Sequence, residues 1–200
     1  MSKIKIALVG CGRISRKHFT AIQALSDQCS LIAICDTSED RLDNALRILR
    51  EINDSRLPIE EPAKYSSYDS LLADIGSKVI EIDLVVLTTP SGLHPAQVIQ
   101  ASEVGVNVCT EKPMATRLSD GINMVKACDL AGVKLFVVKQ NRFNLPIKKL
   151  RDAIESRMFG KLVLGSIRVR WCRTQEYYDQ DSWRGTWALD GGALTNQASH

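Results

Sequence analysis

The chain has 200 residues, 44% of them hydrophobic and 24% charged. That is enough apolar material for a sizeable core, and the length fits one large α/β domain or one domain plus part of a second. Aromatic residues make up only 6%, and no run approaches roughly eighteen consecutive apolar residues, so a membrane-spanning helix is excluded. A net charge of +3, from 26 basic and 23 acidic residues, is too balanced for a nucleic-acid-binding surface.

The opening Met1-Ser2-Lys3 passes directly into a strand-like run without a signal core. Cys11, Cys29, Cys35, Cys109, Cys128 and Cys172 are scattered, with no Cys-x-x-Cys pair and no partner histidine nearby. A reduced, cytoplasmic chain without a metal site is expected.

Short apolar runs at Ile4 to Val9, Leu31 to Cys35, Leu84 to Leu87, Val106 to Cys109 and Leu135 to Val138 predict strands. They are apolar on both faces, as parallel strands covered by helices must be. Amphipathic stretches near 13–26, 39–52, 94–104 and 117–131 lie between them. The β-α alternation predicts an α/β fold with a doubly wound parallel Rossmann sheet. Pro58, Pro62 and polar neighbours between Asp54 and Ser70 predict a loop with a weak edge strand near Lys64 to Ser66.

After Val138 the pattern changes. A helix is expected from Leu145 to about Arg157. From Leu162 to Trp171, Ile167, Val169 and Trp171 then alternate with Arg168, Arg170 and Cys172. A period of two predicts an antiparallel strand with one buried face. Residues 1–140 are therefore expected to form the cofactor-binding domain. Residues 141–200 would open an α+β substrate domain with an open antiparallel sheet, truncated because one strand and two helices do not make a stable sheet. Residues 133–174 carry eleven Lys or Arg against two acidic residues, which polarises the chain.

Gly10-Cys11-Gly12-Arg13-Ile14-Ser15 follows the first strand and opens a helix. Gly10 permits the tight turn, Gly12 lets the backbone approach a pyrophosphate, and the helix N-terminus meets its charge. Asp36 ends the second strand, where a carboxylate accepts ribose hydroxyls and repels a 2′-phosphate; Thr37 and Ser38 bring no arginine to reverse this, so NAD is favoured over NADP. The alternative is a connecting turn, with Asp36 capping the next helix.

Ligands in such sheets lie outside the carboxyl ends of the strands, which directs attention to Thr88-Thr89-Pro90 and to Glu111-Lys112-Pro113. A lysine held there and partly desolvated can transfer protons near neutrality, the alternative being a solvated surface charge. His94 beside Pro95 reads equally as a cofactor contact or as a packing or capping histidine. His18, inside the first helix, reads as structural. Trp171, Trp183 and Trp187 read as core and interface packing ahead of a stacking platform.

Together, Gly10-Cys11-Gly12-Arg13-Ile14, Asp36, Thr89-Pro90 with His94, Glu111-Lys112-Pro113 and Gly191-Gly192-Ala193-Leu194 leading to His200 resemble the glucose-fructose oxidoreductase / inositol dehydrogenase / MocA family. The segments 138–144, 175–180 and 183–187 are similar to a narrower group, the bacterial UDP-2-acetamido-2-deoxyglucuronate 3-dehydrogenases, which act in surface-polysaccharide (O-antigen) sugar synthesis.

The resemblance implies NAD as cofactor and a nucleotide-sugar acid as substrate. It also implies 2-oxoglutarate as the recycling acceptor in some members and a homo-oligomer, dimer or tetramer. Lys112 and His200 would be the catalytic pair. Cofactor contacts would come from Gly10, Gly12, Arg13, Ile14, Asp36, Thr88, Thr89, Pro90, His94, Glu111, Lys112 and Gln140. Substrate contacts would come from Lys112, Arg142, Tyr177, Arg184, Asn196 and His200.

Asn196 stands where the family often has an aspartate, so an Asp-His dyad is not available. Lys139, Arg142, Arg168, Arg170, Arg173 and Arg184 are candidate partners for substrate anions or else solvated surface charge. A family dehydrogenase for another sugar or cyclitol, or a non-catalytic NAD-binding fragment, is the alternative function. A methyltransferase is disfavoured because Glu111-Lys112-Pro113 has no role in methyl transfer. No tyrosine has a lysine four residues on, which sets short-chain dehydrogenases aside.

Overall fold

The computed structural model describes residues 2–52 and 61–198. Its centre is a parallel sheet of six strands: β1 (Ile4–Val9), β2 (Cys29–Cys35), β3 (Ala63–Tyr65), β4 (Leu84–Leu87), β5 (Asn107–Thr110) and β6 (Leu135–Val137). The strand order is β3-β2-β1-β4-β5-β6, so the winding reverses between β1 and β4. That reversal opens a crevice at the carboxyl ends of the two central strands.

Alternation of side chains across the pleat builds one core on each face. On one face Ala7, Val9, Val85, Leu87 and Val108 pack against Leu71 and Ile75 of α3 (Tyr68–Gly76), Val98 and Ala101 of α4 (His94–Glu103), and Met124 and Cys128 of α5 (Leu118–Ala131). On the other, Leu8 and Ile34 pack against Phe19 of α1 (Ser15–Ala24) and Leu42, Ala45 and Ile48 of α2 (Glu39–Ile52). All six cysteines are free, and burial pushes the Cys11 and Cys35 thiols up to about 12, so these two serve as protonated packing groups. Among the described residues, no helix is long and apolar enough to cross a membrane.

Two elements differ from expectation. No helix is expected after the loop at 54–70, yet α3 forms there with Ser67 as its cap, accepting the Ser70 N–H at 3.4 Å. Its signal is short, and what holds it is burial of Leu71, Leu72 and Ile75 against the sheet. Residues 53–60, including the expected Pro58 loop, lie outside the described residues.

The antiparallel strand expected at Leu162 to Trp171 is not formed: this stretch has no regular structure, with Leu164 89% and Ile167 94% exposed. A strand is held by its ladder and one buried face. Among the described residues none lies beside this segment to supply either. The remaining elements are α6 (Leu145–Glu155), α7 (Gln175–Asp179) and α8 (Gly192–Asn196).

Phe19 is fully buried between β1, β2 and α2. Phe19→Ala is expected to cost about 3–5 kcal/mol, read as a drop in the urea-unfolding midpoint without a large change in slope.

Candidate active site at the carboxyl edge of the sheet

The crevice is lined by the turns that leave β1, β2, β4 and β5. Gly10 has φ +94, and its N–H donates to Cys35 O at 2.7 Å. A Cβ at Gly10 would lie 2.8 Å from the Thr88 carbonyl carbon and 2.9 Å from Thr89 N, so glycine allows the ends of β1 and β4 to close on one another. At Gly12 a Cβ would meet nothing within 4 Å. This open backbone, followed by the first turn of α1, fits an approaching diphosphate.

Asp36 is buried and ties the loops together: Oδ2 accepts the Cys11 N–H at 2.7 Å and Oδ1 the Ser38 N–H at 3.0 Å. Each carboxylate oxygen keeps a further lone pair for a ribose hydroxyl. The next arginine in sequence, Arg41, pairs with Asp181 at 3.0 Å instead of standing free for a 2′-phosphate. The residues present therefore fit NAD.

Thr88 is buried, with its hydroxyl on the carbonyls of Val9 and Gly10, and the Thr89 hydroxyl donates to Gln97 Oε1 at 2.5 Å. Pro90 leads into a 3₁₀ turn at Ser91–Leu93. His94 is fully buried, each ring nitrogen 3.0 Å from a carbonyl oxygen, those of Pro113 and Thr89. Burial holds its pKa below the ordinary histidine value against the pull of those carbonyls. The expected cofactor contact at His94 is thus replaced by a tie between the β4 and β5 turns, because the ring has no exposed surface.

Glu111 lies between two elements. His18 Nε2 donates to its Oε1 at 2.8 Å, and Oε2 accepts the Lys112 N–H at 3.2 Å. Burial raises the Glu111 pKa, but the His18 hydrogen bond and charge and the neighbouring Lys112 outweigh it and leave the carboxyl below its usual range. His18, read as structural from its place in the helix, therefore faces the site. The overlooked signal is that the first turn of α1 lies at the ligand-facing edge.

The Lys112-Pro113 peptide is cis, and Lys112 Nζ donates to the main-chain carbonyl and to Oδ1 of Asn196, both at 2.9 Å. Burial lowers the Lys112 pKa from its ordinary 10.5. Glu111 and Asp190 oppose that shift, while Lys139 and Arg173 add to it. Asn196, expected to touch substrate, is buried as a partner of Lys112, and Asp190, which no local sequence pattern marks, lies behind it. The loop carrying Asp190 docks where Gly92 N–H donates to Leu189 O at 3.0 Å. A Cβ at Gly92 would overlap the Ala188 carbonyl oxygen.

Beside this loop, the Tyr177 ring meets Arg13, Arg173 and Arg184 at 5.4, 4.9 and 4.8 Å, and its hydroxyl accepts from Arg184 Nη1 at 3.0 Å. Arg13 also reaches Gln180 at 3.4 Å, and Asp181 pairs with Arg184 at 3.0 Å. Three guanidinium groups thus converge on Tyr177, and the nearby Asp181 carboxylate is shared between Arg184 and Arg41.

Ile14, ahead of α1, is exposed, as are Gln140 and Arg142 in a second 3₁₀ turn; the Arg142 side chain makes no hydrogen bond or ion pair among the described residues. Arg168 and Arg170 are exposed on the irregular segment. Trp171 and Trp187 are also exposed, contrary to core packing, while Trp171 and Trp183 carry Arg173 and Arg184 on their faces at 4.0 and 4.7 Å. His200 lies outside the described residues. Among the described residues, no three His, Cys, Asp or Glu side chains are placed to hold a metal ion.

Residues 4–139 match the family model described as "Oxidoreductase family, NAD-binding Rossmann fold", and residues 147–200 match the GFO/IDH/MocA C-terminal domain. The solved WlbA dehydrogenase of Chromobacterium violaceum, in complex with NADH and UDP-GlcNAcA, is 46% identical with TM-score 0.87, over 99% of this chain and 53% of that one. The WlbA dehydrogenase of Bordetella pertussis, with the same two ligands, is also 46% identical with TM-score 0.87, over 98% and 55%. The myo-inositol 2-dehydrogenase of Thermotoga maritima is 30% identical over 79% of this chain and 42% of its own length. The chain thus spans about half the length of the relatives it matches.

The two loop glycines are expected to behave differently. Gly10→Ala places an atom against backbone at positive φ and costs about 2–4 kcal/mol of stability. Gly12→Ala, with open space, leaves the urea midpoint nearly unchanged but weakens NAD binding, measured by fluorescence titration.

Proposed function

Because the chain belongs to the GFO/IDH/MocA family of NAD-binding oxidoreductases, we propose that it oxidises the C3 hydroxyl of UDP-2-acetamido-2-deoxy-D-glucuronate with NAD. The observation that carries this reading is Lys112: a lysine at the carboxyl end of β5, part-buried, with its pKa lowered and its amine held by Asn196. NAD, when bound, supplies the hydride acceptor. Gly10, Gly12 and the start of α1 hold its diphosphate, and Asp36 its adenosine ribose. Lys112 Nζ takes the hydroxyl proton, and His200 shares that task.

The anionic substrate is favoured over a neutral sugar or cyclitol by the arginines around Tyr177. Arg13, Arg173 and Arg184 bring more positive charge than Asp181 offsets, and guanidinium groups suit carboxylate and phosphate oxygens. The two WlbA structures, solved with NADH and UDP-GlcNAcA, support the same class. In this reading residues 1–140 are the cofactor domain and residues 141–200 open the substrate domain, with Arg142 adding a further contact. The reaction belongs to surface-polysaccharide sugar synthesis in the cytoplasm, with 2-oxoglutarate recycling the cofactor in a homo-oligomeric enzyme.

Mixing the chain with NAD and this sugar nucleotide should generate NADH absorbance, and Lys112→Met should lower the rate by about 100-fold or more. The free amine is the active form, so kcat/KM rises with pH as Lys112 loses its proton. Since burial lowers its pKa from 10.5, that rise occurs at lower pH than for an exposed lysine. NAD binding without turnover on any sugar would instead identify a non-catalytic cofactor-binding unit, and turnover of inositol or a neutral sugar alone would overturn the anionic substrate.

A further inference from the structure

Lys112 donates to two oxygens of one residue, the carbonyl and the Oδ1 of Asn196, each at 2.9 Å. An asparagine amide can turn either its oxygen or its NH₂ towards a neighbour, and here the orientation is set from behind. Asn196 Nδ2 donates to Asp190 Oδ1, while Asp190 Oδ2 accepts the Gly185 N–H at 2.9 Å. An ionised carboxylate only accepts. The NH₂ must therefore face Asp190, and the amide oxygen must face the lysine. Asp190 and Asn196 are only 4% and 6% exposed, so water cannot readily replace either partner.

We propose that Asp190 is a positioning residue for Lys112: its buried carboxylate locks the Asn196 amide, which holds two N–H bonds of the amine and leaves its remaining position for the substrate proton. The inference rests on Lys112 being the proton acceptor. When the sugar O–H bond breaks, the proton joins the Nζ lone pair, and the resulting ammonium keeps its two bonds to Asn196. Asparagine also matters electrostatically, because a carboxylate at position 196 would hold the lysine as ammonium, whereas the amide supplies the same acceptor without charge. The groups facing Lys112 are Glu111 and Asp190, which favour its charged form, and Lys139 and Arg173, which disfavour it.

Two variants separate geometry from charge. In Asp190→Asn, position 190 has one acceptor for two donors, so the Asn196 amide is free to present its NH₂ to Lys112. The exchanged pair Asp190→Asn/Asn196→Asp retains every hydrogen bond but moves the charge next to the amine. Lys112 titration is followed by carbon-13 NMR of its ε-carbon in the ligand-free chain, with turnover measured in parallel.

The single variant should titrate lower and lose about 10- to 100-fold in kcat, with KM within about twofold. The exchanged pair should titrate above the unaltered chain and shift the acid limb of the pH profile upward with it. An unchanged Lys112 titration in the single variant, or an exchanged pair that titrates like the single one, overturns the proposal. If the single variant does not fold, the exchanged pair decides alone, and failure of both to fold assigns Asp190 to structure only. The NMR measurement needs neither NAD nor sugar, so a wrong substrate reading leaves its result standing.

Discussion

The site depends on how closely the ends of β1 and β4 approach. These neighbouring strands flank the reversal of winding, and the absence of a side chain at Gly10 lets its backbone lie against Thr88 and Thr89. Around that contact the turns are tied by short polar links: the Thr88 hydroxyl to the Val9 and Gly10 carbonyls, the Cys11 N–H to Asp36, and His94 between Thr89 and Pro113. Each link satisfies a buried polar group, so it fixes the mouth of the crevice and avoids a desolvation cost.

Within that frame the electrostatics of Lys112 are a balance. Burial disfavours its charge, and the carboxylates of Glu111 and Asp190 favour it. Glu111 is held by His18 from α1, and Asp190 acts through Asn196 from the segment before α8. The lysine thus senses two opposite charges without a direct side-chain salt bridge to either, which keeps its pKa lowered.

The C-terminal stretch divides by what it can pack against. The loop from Trp183 to Gly191 docks on the β4 turn at Gly92 and carries Asp190 to the site. The stretch around Ile167, which carries the alternation of a strand, has no neighbouring strand among the described residues and leaves that side chain in solvent. Alternation marks a segment's capacity to form a strand, and formation needs a partner.

Much of the cofactor fold was legible in the sequence. Five of the six strands were marked by runs apolar on both faces, β3 by a weaker edge signal. The glycine loop, Asp36 and Lys112 were marked by their positions at strand ends. These are local signals, set by the burial period of a helix or strand and by the backbone needs of a turn. Only the tertiary structure joined His18 to Glu111 across 93 residues and Lys112 to Asn196 across 84, buried His94 between the carbonyls of Thr89 and Pro113, and put Asp190 behind the amide. Periodicity reports which face of an element is buried, and a pair brought together by the winding of the sheet leaves no trace in the spacing of its residues.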